Sequence, residues 1–119
     1  MIRQGEVYWL DLGDPSGAGP GYRRPCVIVQ NDVFNQSKLR TTIVCALTTT
    51  MKRAQAPGNV SLLPGEAGLA EQGVVNVTQV LTVDKADLVE KIGAVSSRRI
   101  EEVVEGLRLV IESRGAVGL

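Results

Sequence analysis

Arg24-Pro25-Cys26-Val27-Ile28-Val29-Gln30 is a nearly unbroken apolar run opened by a proline. A proline is tolerated where a strand begins or along a sheet edge, so the run predicts a buried strand. Two neighbours share its character. Glu6-Val7-Tyr8-Trp9-Leu10-Asp11-Leu12 is β-branched and aromatic and stops at Gly13-Asp14-Pro15, and Thr41-Thr42-Ile43-Val44-Cys45-Ala46-Leu47-Thr48 has strong β propensity up to polar Thr49-Thr50. Residues 13–21, Gly-Asp-Pro-Ser-Gly-Ala-Gly-Pro-Gly, cannot form a regular element, and a mobile surface connection is expected there. Asn31-Asp32 is placed to cap a short helical turn running to about Lys38.

The second half continues in short elements. A basic loop at 51–58 closes at Pro57-Gly58, and Asn59-Val60-Ser61-Leu62-Leu63-Pro64 alternates like a short strand. Residues 73–83 form a longer strand, bent near its middle where Asn76, Thr78 and Gln79 interrupt the apolar positions. Asp84 with Asp87 forms an acidic capping box for a short helix, and 91–95 returns as strand. Ile100, Val103, Val104, Leu107, Val110 and Ile111 fall on one stripe of a helix beginning after Ser97, and the tail at 115–119 lacks periodicity and should fray. Many short strands with one terminal amphipathic helix predict a mainly β chain with appended helices (α+β), a small and strongly bent antiparallel barrel. The whole of residues 1–119 forms one domain, since this length buries one core and not two.

Composition narrows the chemistry. The 119 residues include no His, which excludes the Ser-His-Asp triad, a Cys-His pair, a His-bearing zinc helix and a two-histidine ribonuclease. Apolar runs of about five residues fall far short of the ~20 that a membrane span needs, and the start lacks a signal-peptide apolar region. A soluble, cytoplasmic protein is expected. Cys26 and Cys45 lie within apolar runs and read as reduced core thiols, with a disulfide between neighbouring strands as the alternative. Net charge is zero, with 13 Lys+Arg and 13 Asp+Glu, but the first 60 residues carry the basic excess and the rest the acidic one. Such a split allows one basic face on a neutral molecule.

The polar residues that stand out are Arg24 at a strand start, Thr48 at a strand end, and the basic positions Arg23, Lys52 and Arg53. Strand ends beside loops hold their side chains rigidly yet leave them open to solvent, which suits binding groups. The same residues also fit a plainer role as exposed charges and strand formers.

Taken together, Gln4-Gly5-Glu6-Val7-Tyr8-Trp9-Leu10-Asp11-Leu12, Arg23-Arg24-Pro25-Cys26-Val27-Ile28-Val29-Gln30-Asn31-Asp32 and Ile43-Val44-Cys45-Ala46-Leu47-Thr48 resemble the MazF/PemK toxin family. Asn76-Val77-Thr78-Gln79-Val80, Thr82-Val83-Asp84-Lys85 and the terminal helix stand in that family's order, so the resemblance covers essentially the whole chain. It implies an SH3-like barrel and a homodimer. It also implies a toxin of a type II toxin–antitoxin pair that cuts single-stranded RNA at short sequences, without the ribosome, under the control of a MazE-like antitoxin. The family's catalytic arginine corresponds to Arg24 and its catalytic threonine to Thr48, while Gln79 matches a position that contacts RNA in some members. Arg23, Thr49, Lys52 and Arg53 beside them are the accompanying RNA-binding candidates.

The implied chemistry suits a chain without histidine. A ribose 2′-hydroxyl attacks the adjacent phosphate, giving a 2′,3′-cyclic phosphate and a 5′-hydroxyl, so neither a metal nor another cofactor is called for. Arginine offers forked donors to the phosphate oxygens and stabilises charge in the transition state. Threonine hydrogen-bonds the phosphate or the 2′-hydroxyl. The chain departs from the family at Gly19, where several members carry a glutamate thought to help proton transfer, and at Gln72-Gly73, where Asp-Ser is common. The competing reading is a non-catalytic toxin of the same barrel, resembling the gyrase poison CcdB, because fold alone does not separate the two.

Overall fold

A computed structural model of the chain describes residues 1–14, 17 and 22–113. The expected mobile stretch at 15–21 (except 17), Gly19 within it and the fraying tail at 115–119 lie outside the described residues. Among the described residues there are six strands: β1 (Glu6–Asp11), β2 (Arg23–Ile28), β3 (Thr41–Thr48), β4 (Val60–Leu62), β5 (Gly73–Asp84) and β6 (Glu90–Ala94). Two α-helices join them, α1 (Asp32–Asn35) and α2 (Ser97–Ile111). The strands make one antiparallel sheet in the order β4-β5-β3-β2-β1-β6. No helix among the described residues is long and apolar enough to cross a membrane.

The sheet curls because β5 carries extra residues. Cys45 of β3 pairs with Val80 of β5, yet Leu47, two residues on, pairs with Val75. Two residues on one strand therefore face five on the other, and the surplus lies at Asn76–Gln79, the polar interruption in the sequence. Side chains alternate along a strand, so an odd step exchanges the faces. Val75 and Val77 accordingly pack with Val7, Val27, Cys45 and Val103 in one core, whereas Leu81 and Val83 lie against a second, built on Tyr8, Cys26, Ile28 and Val44.

The two cysteines occupy opposite cores and are unlinked, which removes the disulfide alternative. Burial pushes both thiols up to about 12, leaving them un-ionised and inert at neutral pH.

The edge strands are drawn together by the chain after β4. A 3-10 turn at Glu66–Gly68 presses on β6 so closely that a Cβ on Gly93 would overlap the Ala67 carbonyl. Glu66 in this turn accepts two hydrogen bonds from Arg99 of α2, at 3.0 and 2.8 Å. That guanidinium holds its carboxyl at about 2.

Helix α2 is capped by Ser96, whose hydroxyl accepts from the Arg99 N–H. It covers the curl where Val103 and Gly106 are buried. A Cβ on Gly106 would overlap the Gly58 carbonyl oxygen. Gly106→Ala should therefore destabilise the chain by about 1–3 kcal/mol through overpacking, despite alanine's better helix propensity. A chemical-denaturation midpoint equal to or above the parent's would refute this contact.

Several expectations need correction. The apolar stripe of α2 is buried only as far as Leu107, and Val110 and Ile111 are 43% and 76% exposed, because the last turn runs past the sheet. Strand β2 begins at Arg23 and ends at Ile28, although Val29 and Gln30 stay buried. The basic segment after β3 is a 3-10 turn at Met51–Gln55 and not an open loop. Helix α1 is a single turn ending at Asn35, short of Lys38, capped by the Asn31 side chain as expected. Asp84 accepts from the Ala86 N–H at the head of a 3-10 turn, Lys85–Asp87.

Candidate active site

The β2–β3 register brings the two strand ends together. Cys26 pairs with Ala46 and Val27 with Cys45. Past the Cys26–Ala46 pair β2 runs back to Arg23 and β3 on to Thr48. Arg24 and Thr48 line one cavity of about 580 Å³, together with Arg23 and Thr49. Trp9 and residues 22–25 form one side, residues 47–49 the other, and residues 69–73 close it. A larger cavity of about 680 Å³ between β4 and α2 contains none of the sequence candidates.

Each side chain is held by its neighbours. The Thr48 hydroxyl accepts a hydrogen bond from the Thr50 N–H at 3.1 Å, which fixes its rotamer and leaves its own proton to donate. Arg24 is half-buried and directly precedes Pro25, with Leu10 of β1 opposite. Arg23 is exposed; its guanidinium donates to the Glu90 carboxylate of β6 and lies 4.7 Å from the centroid of the Trp9 ring. Exposed pairs of this kind contribute only about 0–1 kcal/mol, so a phosphate can displace the carboxylate without large loss.

Lys52, Arg53 and Gln79 are not part of the cavity. Lys52 and Arg53 are exposed on the 3-10 turn that leaves β3, and Gln79 sits half-buried in the bulged part of β5. Of the four basic candidates, Arg23 and Arg24 line the cavity and Lys52 and Arg53 do not.

Three cavity residues were not foreseen: Trp9, Tyr22 and Glu71. Trp9 pairs with Pro25 in the β1–β2 register, and its partly exposed ring was a signal available in the sequence, an aromatic among the strand's outward positions. Tyr22 has φ 61°, a left-handed conformation uncommon for a side chain of this size. Its N–H donates to the Gly13 carbonyl and its carbonyl accepts from the Leu12 N–H at 2.8 Å, clamping the mouth of the β1–β2 connection. Both aromatic rings offer flat surfaces for bases to stack on. Two guanidiniums, a donor hydroxyl and two aromatic faces in one open cavity are suited to a single-stranded polyanion.

The family of PemK-like, MazF-like toxins of type II toxin-antitoxin systems matches residues 3–111. The chain belongs to this family. Endoribonuclease MazF6 of Mycobacterium tuberculosis is 41% identical over 112 residues, spanning 94% of this chain and 98% of that protein. Endoribonuclease MazF of Staphylococcus saprophyticus is 36% identical over 103 residues, covering 87% of this chain and 85% of its own. A mycobacterial endoribonuclease solved in complex with its cognate antitoxin superposes with a TM-score of 0.75 at 25% identity, over 94% of this chain and 98% of that one. The curled sheet and terminal helix are thus those of the MazF/PemK toxins, as the expected SH3-like barrel requires.

Proposed function

We propose that the chain is a metal-independent endoribonuclease, the toxin of a type II toxin–antitoxin pair, and that it cleaves single-stranded RNA within the Arg24–Thr48 cavity. The observation that carries this reading is the convergence of those two strand ends on one cavity, in a chain whose relatives are named endoribonucleases. Those relatives favour RNA cleavage over the gyrase-binding alternative.

In the proposed reaction the scissile phosphate sits between Arg24 and Thr48. Arg24 donates to its nonbridging oxygens and stabilises the charge that builds as the 2′-oxygen approaches. Thr48 donates its hydroxyl proton to the same phosphate, with its rotamer set by the Thr50 amide. Arg23 and Thr49 hold the neighbouring backbone, and bases 5′ or 3′ of the cut stack on Trp9 and Tyr22. Incubating the purified protein with single-stranded RNA in EDTA tests this reading. It predicts fragments ending in 2′,3′-cyclic phosphate and 5′-hydroxyl; intact RNA, or cleavage that appears only with added metal, would refute it.

Lys52 and Arg53, exposed on the turn that follows β3, are proposed to bind RNA phosphates beyond the cut, and Gln79 to contact a base. Neutralising two phosphates fewer should reduce the slope of log binding constant against log salt by roughly 1 to 1.5 in magnitude. Measured for the double variant Lys52→Ala/Arg53→Ala, an unchanged slope would remove both from the RNA path.

The partners proposed are a second copy of the chain and a MazE-like antitoxin. A single domain offers a shallow cavity, and a two-fold pair would extend it into a groove. The antitoxin's acidic, disordered segment would fold into that groove and exclude RNA. A monomeric mass by light scattering at micromolar concentration would contradict the dimer. Blocked cleavage without added hydrogen-exchange protection at residues 22–24 and 48–53 would place inhibition elsewhere. A cytoplasmic location is proposed because mRNA is the substrate.

A further inference from the structure

Cleavage by internal attack needs a group that takes the proton of the 2′-hydroxyl. Neither Arg24 nor Thr48 is suited to this, because an arginine side chain keeps its proton in proteins and a threonine hydroxyl ionises far above neutral pH. Among the described residues one carboxylate lines the same cavity, that of Glu71.

Its position follows from the sheet. Thr48 pairs with Val74 in the β3–β5 register. Glu71 precedes Val74 by three residues, a chain reach of at most about 10 Å. Leu69 is buried behind it, and Gly73 is buried between Leu47 and Leu69, so the segment is anchored on both sides of Glu71. Glu71 itself is exposed, and among the described residues its carboxylate accepts no hydrogen bond and joins no ion pair. The other carboxylates near this end of the sheet are committed or absent from the cavity. Glu90 is paired with Arg23, Asp11 accepts from the Gly13 N–H, and Asp14 does not line it. Residues 15–21 contain no Asp or Glu at all.

We propose that Glu71 is the general base of RNA cleavage. This rests on the RNA-cleaving reading of the cavity given above. The 2′-hydroxyl proton passes to the Glu71 carboxylate as the 2′-oxygen forms its bond to phosphorus. The bond from phosphorus to the 5′-oxygen breaks with its electron pair on that oxygen, which takes a proton from solvent water. Glu71 then returns its proton to solvent, so the net reaction moves one proton and leaves the enzyme unchanged. Beside Glu71, the titratable or charged groups lining the cavity are Arg23, Arg24 and Tyr22, all on the β2 side.

The test uses the full chain, EDTA, single-turnover conditions and an RNA that the parent protein cuts. Glu71→Gln should slow cleavage by on the order of 10²-fold or more, and Glu71→Asp should recover part of it. The parent's rate should rise with pH along an acid limb of unit slope that Glu71→Gln lacks. Binding of the same RNA with a 2′-deoxyribose at the cut should be unchanged. With sulfur replacing the bridging 5′-oxygen, a leaving group that needs no proton, Glu71→Gln should stay slow. Parent-level cleavage by Glu71→Gln would overturn the proposal, as would an acid limb retained in that variant or full recovery on the sulfur substrate. Failure of the parent protein to cut any RNA would instead overturn the reading on which the proposal rests.

Discussion

Arg24→Ala should lower the single-turnover cleavage rate by on the order of 10²-fold or more while leaving the fold intact. Arg24 is half-buried, the second residue of β2, and belongs to neither core. In the proposed reaction its worth lies in the transition state, where charge on the nonbridging oxygens is greatest, so RNA binding should weaken much less than the rate falls. Arg24→Lys should rescue little, because an ammonium cannot span two phosphate oxygens with a planar fork. The check is a rate and a binding constant measured on the same RNA, with a thermal melt to exclude unfolding. Full activity of Arg24→Ala would end the assignment of this cavity.

Thr48→Val should cause a loss of similar order, and Thr48→Ser should retain most activity. Valine keeps the shape and β propensity of the residue and removes the hydroxyl that accepts from Thr50 and donates outward. Stability should change by no more than about 1 kcal/mol, since the residue is only half-buried at the strand's last position. A serine variant as inactive as the valine variant would show that the methyl group, and not the hydroxyl, matters.

The strands of the sheet were legible because hydrophobic runs and Gly/Pro breaks are local properties. Thr41–Thr48 and the bend of β5 at Asn76–Gln79 were visible for that reason. Exposure of Val110 and Ile111 was not, because periodicity tells which face of α2 is apolar and not where the sheet beneath it ends. The site divides in the same way. Arg24 and Thr48 could be named from strand ends and from resemblance, but their meeting at one cavity depends on the pairing of β2 with β3, which is non-local. Glu90 reaches Arg23 across 67 positions of sequence, and Glu71 enters the cavity only through the path from β4 to β5. Lys52 and Arg53 follow Thr48 closely in sequence, yet they stand on the 3-10 turn at Met51–Gln55 and do not line the cavity.

Cleavage of a chimeric strand offers the most direct test of the central claim, that this cavity drives an attack by the substrate's own 2′-hydroxyl. The substrate is a DNA oligonucleotide of the mapped cut sequence with one ribonucleotide immediately 5′ of the scissile phosphate, incubated with the protein in EDTA. Cutting is expected at that one linkage, with a 2′,3′-cyclic phosphate on the new end, and none when the ribonucleotide is replaced by its 2′-O-methyl form or when Arg24 is alanine. Cutting of the 2′-O-methyl strand at the same bond would contradict that claim.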